Sequence, residues 1–109
     1  SLHSSVIIEL YHVAVELGER LQEAEFTGNT LTLKIKFHDF SQITRSITQT
    51  QELSTLDCIL PLAKELLKSV SYEQHPIRLI GLSVSNPKEE AEVQHGVWEQ
   101  LSFEFSDWE

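Results

Sequence analysis

Apolar residues at Ile7, Leu10, Ala14, Leu17, Leu21 and Ala24 recur in steps of three and four, the spacing that places side chains on one face of an α-helix. A helix over about residues 5–25 is predicted, with Ser4 or Ser5 as its cap and Gly28-Asn29 as its stop. The period then changes to two. In "LTLKIKF", Leu31, Leu33, Ile35 and Phe37 alternate with Thr32, Lys34 and Lys36, the pattern of a half-buried strand. "HDFS" has turn chemistry, because Asp39 and Ser41 can bond nearby backbone groups. "QITRSITQT" is β-branched enough to return as the second arm of a hairpin. Strict alternation puts Arg45 on the face of Ile43 and Ile47, so either a bulge re-aims it or the register differs.

Ser54 or Thr55 can cap a second helix with the stripe Ile59, Leu60, Ala63, Leu66, Leu67 and Val70 and with Lys64 and Lys68 outside. Pro61 is expected to shorten or bend its first turn. "HPIRLIGLSVSNP" predicts a third strand bounded by prolines. The order helix, strand, strand, helix, strand is a split β-α-β unit without its first strand. The expected fold is α+β: an antiparallel sheet with both helices on one face, leaving the face of Thr32, Lys34 and Lys36 open. Residues 4–87 are read as the domain, 88–99 as an acidic linker and 100–109 as a tail.

Composition narrows the function. With 109 residues, 40% of them hydrophobic, the chain fits one domain. No run approaches the roughly 20 apolar residues of a membrane-spanning helix. A lone Cys58 can build neither a disulfide nor a cysteine zinc site, which fits a reducing, cytoplasmic setting. The net charge of −9 opposes nucleic-acid binding, but its distribution does not. Lys88 stands alone against seven acidic residues from 88 to 109, whereas residues 31–50 hold Lys34, Lys36 and Arg45 against Asp39.

The five histidines, His3, His12, His38, His75 and His95, form no i,i+4 pair, so a metal site is not expected. There is no glycine-rich phosphate loop, no nucleophile elbow and no Cys/His pairing, and Glu89-Glu90 reads as a solvated acidic run rather than an acid/base pair. No catalytic centre is expected. Lys34 and Lys36, followed by Thr44, Arg45 and Ser46 on the neighbouring strand, offer cations, hydroxyls and backbone amides to phosphate oxygens. The same residues also suit an ordinary solubilising strand face.

Four features together resemble the C-terminal little-finger domain of Y-family translesion DNA polymerases, the bacterial DNA polymerase IV type most of all. They are Lys34-Ile35-Lys36, the Asp39-Phe40 turn, Thr44-Arg45-Ser46 and Arg78-Leu79-Ile80-Gly81-Leu82, and the likeness covers roughly residues 5–86. The resemblance implies that the open sheet face lies along primer-template duplex DNA and touches mainly phosphates. Lys34, Lys36, Thr44, Arg45, Ser46 and Thr48 would then form the contact set, with Arg78 a further candidate. Ile47 stands where the family often has a second basic residue, which implies a weaker grip. The family's catalytic carboxylates, and the magnesium expected for a full-length polymerase, belong to a palm domain outside this chain, so no cofactor is expected here.

The family's little finger also begins with a strand ahead of its first helix. The chain starts almost at that helix, so this strand is expected to be missing, and a partner chain, by strand exchange or dimerisation, or the tail itself is expected to fill the sheet edge. Gln100-Leu101-Ser102-Phe103-Glu104-Phe105 resembles the Gln-Leu-x-Leu-x-(Leu/Phe) peptide by which such polymerases dock on the sliding clamp. Gln100, Leu101, Phe103 and Phe105 are the clamp-binding candidates. Leu101, Phe103 and Phe105 also alternate as an edge strand would. The competing function is a small α/β protein-interaction or regulatory domain that dimerises through its sheet.

Overall fold

The computed structural model of the protein describes residues 2–72, 75–86 and 97–102. Six elements follow in order: α1 (Leu2–Ala24), β1 (Gly28–Phe37), β2 (Gln42–Leu53), α2 (Leu56–Lys68), β3 (Ile77–Ser85) and β4 (Val97–Ser102). The strands form one antiparallel sheet in the order β2-β1-β3-β4. The expected α+β architecture is present, with a fourth strand beyond the three anticipated.

α1 begins at Leu2, so Ser4 and Ser5 lie inside its first turns instead of capping it. Val6, Leu10, Val13, Ala14, Leu17 and Leu21 form its buried stripe, while Ile7 is half-buried and Ala24 exposed. The helix also stops earlier than Gly28-Asn29. Glu25 takes a left-handed conformation (φ 52°), its N–H bonds the Gln22 carbonyl and the Phe26 N–H bonds the Leu21 carbonyl. That pair of bonds is the Schellman ending, here built on a glutamate where glycine is usual. Gly28 serves a different purpose. A Cβ there would fall on the Ser85 carbonyl oxygen, so glycine is what lets β1 enter the sheet against β3.

Phe37 closes the β1–β2 turn, its N–H bonding the Ser41 carbonyl (2.9 Å) while its own carbonyl accepts the Phe40 N–H (3.0 Å). The register runs without a slip from Thr30↔Thr48 to Lys36↔Gln42. No bulge re-aims Arg45, which pairs with Leu33 and shares the face of Ile43 and Ile47. The irregularity lies instead between Gly28 and Thr30, where Asn29 Nδ2 donates to the Thr50 carbonyl (3.2 Å).

α2 follows Thr55, whose carbonyl accepts the Cys58 and Ile59 N–H groups. The Thr55 hydroxyl bonds the Cys58 sulfur at 3.4 Å and makes no side-chain cap to the backbone. Pro61 is exposed and leaves the helix assigned continuously over 13 residues, so its first turn is not shortened. The missing N–H removes one bond, and burial of Ile59, Ala63, Leu66 and Leu67 holds the helix to the sheet. Gly18 in α1 admits the start of α2, since a Cβ there would lie 3.3 Å from the Leu56 nitrogen.

Both helices cover one sheet face, α1 beside β3 and β4 and α2 beside β1 and β2. Between them lies the core, with Leu31, Leu33, Ile35, Ile80, Leu82 and Val84 from the sheet fully buried against Leu10, Leu17, Ile59 and Ala63. β4 occupies the second edge of β3, from Val97 opposite Val84 to Ser102 opposite Leu79. The start of the tail thus pairs at the edge that a partner chain or the tail itself was expected to fill. Because β4 starts at Val97, the strand takes in the last residues of the stretch read as linker. The remaining linker and tail residues, 87–96 and 103–109, lie outside the described residues.

Candidate nucleic-acid interface

Alternation along β1 sends Leu31, Leu33, Ile35 and Phe37 into the core and leaves Thr30, Thr32, Lys34 and Lys36 on the opposite, helix-free face. The register extends this face sideways. Thr48, Ser46, Thr44 and Gln42 of β2 stand opposite those four residues in turn, and Ser85, Ser83, Gly81 and Leu79 of β3 stand on their other side. Thr30 and Thr48 share a hydroxyl hydrogen bond of 2.8 Å, as do Thr32 and Ser46. One half of the face is a ladder of hydroxyls. The other half carries the two ammonium groups, Lys34 between Thr44 and Gly81 and Lys36 between Gln42 and Leu79.

The candidate contact set is divided by this geometry. Lys34, Lys36, Thr44, Ser46 and Thr48 share the open face. Arg45 belongs to the helix-side face of edge strand β2, where it is half-buried and its Nη1 donates to the Thr44 carbonyl at 2.9 Å. Arg78 stands at the end of the face, where the β1–β3 register shifts between Lys36 and Phe37. Its guanidinium lies over the Phe40 ring, 5.2 Å from the centroid.

Beside it, the Ser41 hydroxyl (2.6 Å) and N–H (3.0 Å) both donate to Asp39 Oδ1. These two bonds, the hydroxyl first, hold the Asp39 carboxyl below its ordinary range, with the nearby His75 adding to the effect.

The sequence reading omitted Thr30, Gln42, Ser83 and Ser85 from this face. Their signal was present: Leu79, Gly81, Ser83 and Ser85 alternate with the core residues Ile80, Leu82 and Val84, and pairing outward from the Asp39 turn brings Thr30 to Thr48. Of the clamp-binding candidates, Gln100 pairs with Gly81 and Leu101 with Ile80 in β4. Phe103 and Phe105 lie outside the described residues. Among the described residues, no group of His, Cys, Asp and Glu is arranged to hold a metal ion, and no helix is long and apolar enough to cross a membrane. A cavity lined by Ile7, Lys64, Leu67, Lys68, Val70 and Tyr72 lies at the helices.

The fold and this face define an α+β domain whose chemistry is that of a surface, with a basic and hydroxyl-bearing sheet backed by two helices. Residues 3–97 match the impB/mucB/samB family C-terminal domain, and the chain belongs to that family, the C-terminal domain of Y-family polymerases. It is 80% identical over 107 residues to DNA polymerase IV of Bacteroides fragilis, covering 98% of this chain and 29% of that protein. With DNA polymerase IV of Akkermansia muciniphila the identity is 48% over 92 residues, 84% of this chain and 25% of that protein. With that of Clostridium perfringens strain SM101 it is 34% over 102 residues, 90% and 28%. The chain therefore spans less than a third of the length of these curated relatives.

Proposed function

We propose that this domain holds duplex DNA along its open sheet face within a translesion DNA polymerase, without reading base sequence, and that residues 100–105 dock on the sliding clamp. The observation that carries the DNA reading is the separation of faces. Both helices and the apolar core lie on one side, and Lys34 and Lys36 stand on the other among Thr30, Thr32, Thr44, Ser46 and Thr48. Ammonium groups and hydroxyls meet phosphate oxygens, whereas reading base edges calls for bidentate side chains such as Arg, Asn or Gln. In the regular ladder of β1 and β2, Gln42 is the side chain of this kind on the face, and Arg78 stands at its end. Copying past damage, and the magnesium it requires, would belong to the remaining part of the longer protein.

Fluorescence anisotropy with duplexes of unrelated sequence tests the DNA reading. Affinity should fall steeply with salt and vary little with sequence, and Lys34→Ala and Lys36→Ala should each lower the salt slope by about 1. A salt slope that neither substitution changes would count against this face.

Clamp docking is supported by the likeness of Gln100-Leu101-Ser102-Phe103-Glu104-Phe105 to the docking peptide. Gln100, Leu101 and Ser102 are paired with β3, so docking requires this end of β4 to leave the sheet. Gln100→Ala and deletion from Gln100 onward should both abolish binding to the bacterial sliding clamp. Unchanged binding in the deletion would remove this part of the proposal. The pairing of β4 with β3 is the ordinary tail strand that the competing reading, a small α/β interaction or regulatory domain dimerising through its sheet, expects, and the likeness to DNA polymerase IV is what favours the polymerase reading.

A further inference from the structure

Two backbone irregularities converge at one end of the open face. The first is at Phe40, which adopts φ 70°, a conformation unfavourable for a bulky side chain. The residue is 69% exposed, so burial does little to offset that strain. The turn is held there by the Asp39–Ser41 bonds and by the two backbone bonds of Phe37. The second is the shift between Lys36↔Leu79 and Phe37↔Ile77, which leaves Arg78 as the extra residue. A bulge of this kind re-aims a side chain. Here it brings the guanidinium to 5.2 Å from the Phe40 centroid. Arg78 follows Leu79, the ladder partner of Lys36, toward the turn, so Lys34, Lys36 and Arg78 come in order toward the exposed Phe40.

An aromatic surface at the end of a phosphate-binding track is the composition of a single-strand stacking site. The cations follow the backbone while the ring accepts a base of any identity. Within a duplex, bases are already stacked on one another, so the ring has a use only where a strand continues unpaired.

We propose that Phe40 and Arg78 form a subsite for the first unpaired nucleotide beyond the duplex, Phe40 stacking on the base and Arg78 meeting its phosphate. The proposal rests on the reading of the open face as the duplex site. It adds a second ligand, single-stranded nucleic acid, at the end of that face.

The test measures binding of the 109-residue chain to a blunt duplex, to the same duplex with a 5′ or a 3′ single-stranded extension carrying 2-aminopurine, and to the extension alone. One extension should raise affinity about fivefold or more over the blunt duplex, the least that stacking of one base supplies, and should quench the 2-aminopurine. Phe40→Asn keeps a residue that tolerates the left-handed turn and removes the ring. It should abolish the gain and the quenching and leave blunt-duplex binding unchanged, while Phe40→Trp should retain both.

Equal binding of blunt and extended duplexes by the unmodified chain overturns the proposal. So does an equal loss on both probes in Phe40→Asn, which would mark a structural role for the ring. If the blunt duplex does not bind while the extension alone still binds through Phe40, the duplex reading fails and the subsite stands. Absence of binding to every probe overturns both.

Discussion

Glu25 shows how one residue can hold a conformation it does not favour. Its φ of 52° ends α1, and the Schellman bonds of Glu25 and Phe26 depend on it. Glycine adopts this region without the Cβ clash. Glu25→Gly should therefore raise stability by about 1 kcal/mol, read as a higher denaturant midpoint at unchanged slope. Asp39 gives a pH signature. Its carboxyl titrates below the ordinary aspartate range because Ser41 donates two hydrogen bonds to it. A carboxyl depressed on folding stabilises the folded chain above its unfolded pKa, and that contribution is lost as pH falls through the folded value. The stability difference between the protein and Asp39→Ala should shrink as pH drops through and below the normal aspartate range, as followed by urea unfolding. A difference constant with pH would show that the side chain acts through packing alone. These residues were legible in part. The Asp39 turn followed from local chemistry, whereas the helix stop was placed at Gly28, because a composition rule prefers glycine and the actual stop uses a strained glutamate.

At the scale of elements, the open face is a consequence of period-two alternation in three neighbouring strands. β1 was legible from its strict pattern, and β2 followed from the turn beside it. Arg45 marks the boundary of that legibility. It falls within Thr44-Arg45-Ser46, yet alternation separates it from its two neighbours, and the unbroken register keeps it on the helix side. β4 bears on how the edge of the sheet is protected. It is a six-residue edge strand covering β3 groups that would otherwise be exposed for pairing with another chain. Truncation before Val97 should speed hydrogen exchange of β3 amides and produce concentration-dependent association in sedimentation. A truncated chain that stays monomeric, with β3 as protected as before, would show that β4 contributes little to the sheet.

Across the whole molecule, charge and shape act in opposite directions. A chain of net charge −9 repels a polyanion at long range, while the sheet gathers Lys34 and Lys36 on the side away from acidic α1. Isolated binding to duplex DNA should accordingly stay weak, with Kd near the non-specific range of roughly 10⁻⁴ to 10⁻⁶ M at physiological salt; a nanomolar Kd indifferent to salt would contradict this balance. The sequence by itself determined the order of helices and strands, the β1–β2 hairpin and the alternation that leaves Lys34 and Lys36 outside the core. Each of these depends on residues a few positions apart, and a local period shows which side of its own element is apolar. Only the tertiary structure decided that β4 lies along β3, that Arg78 leaves the regular ladder and that its guanidinium meets Phe40. Those outcomes join segments far apart in the chain, where the cost of closing the loop and competition among sheet edges select the partner. A local period does not encode that choice.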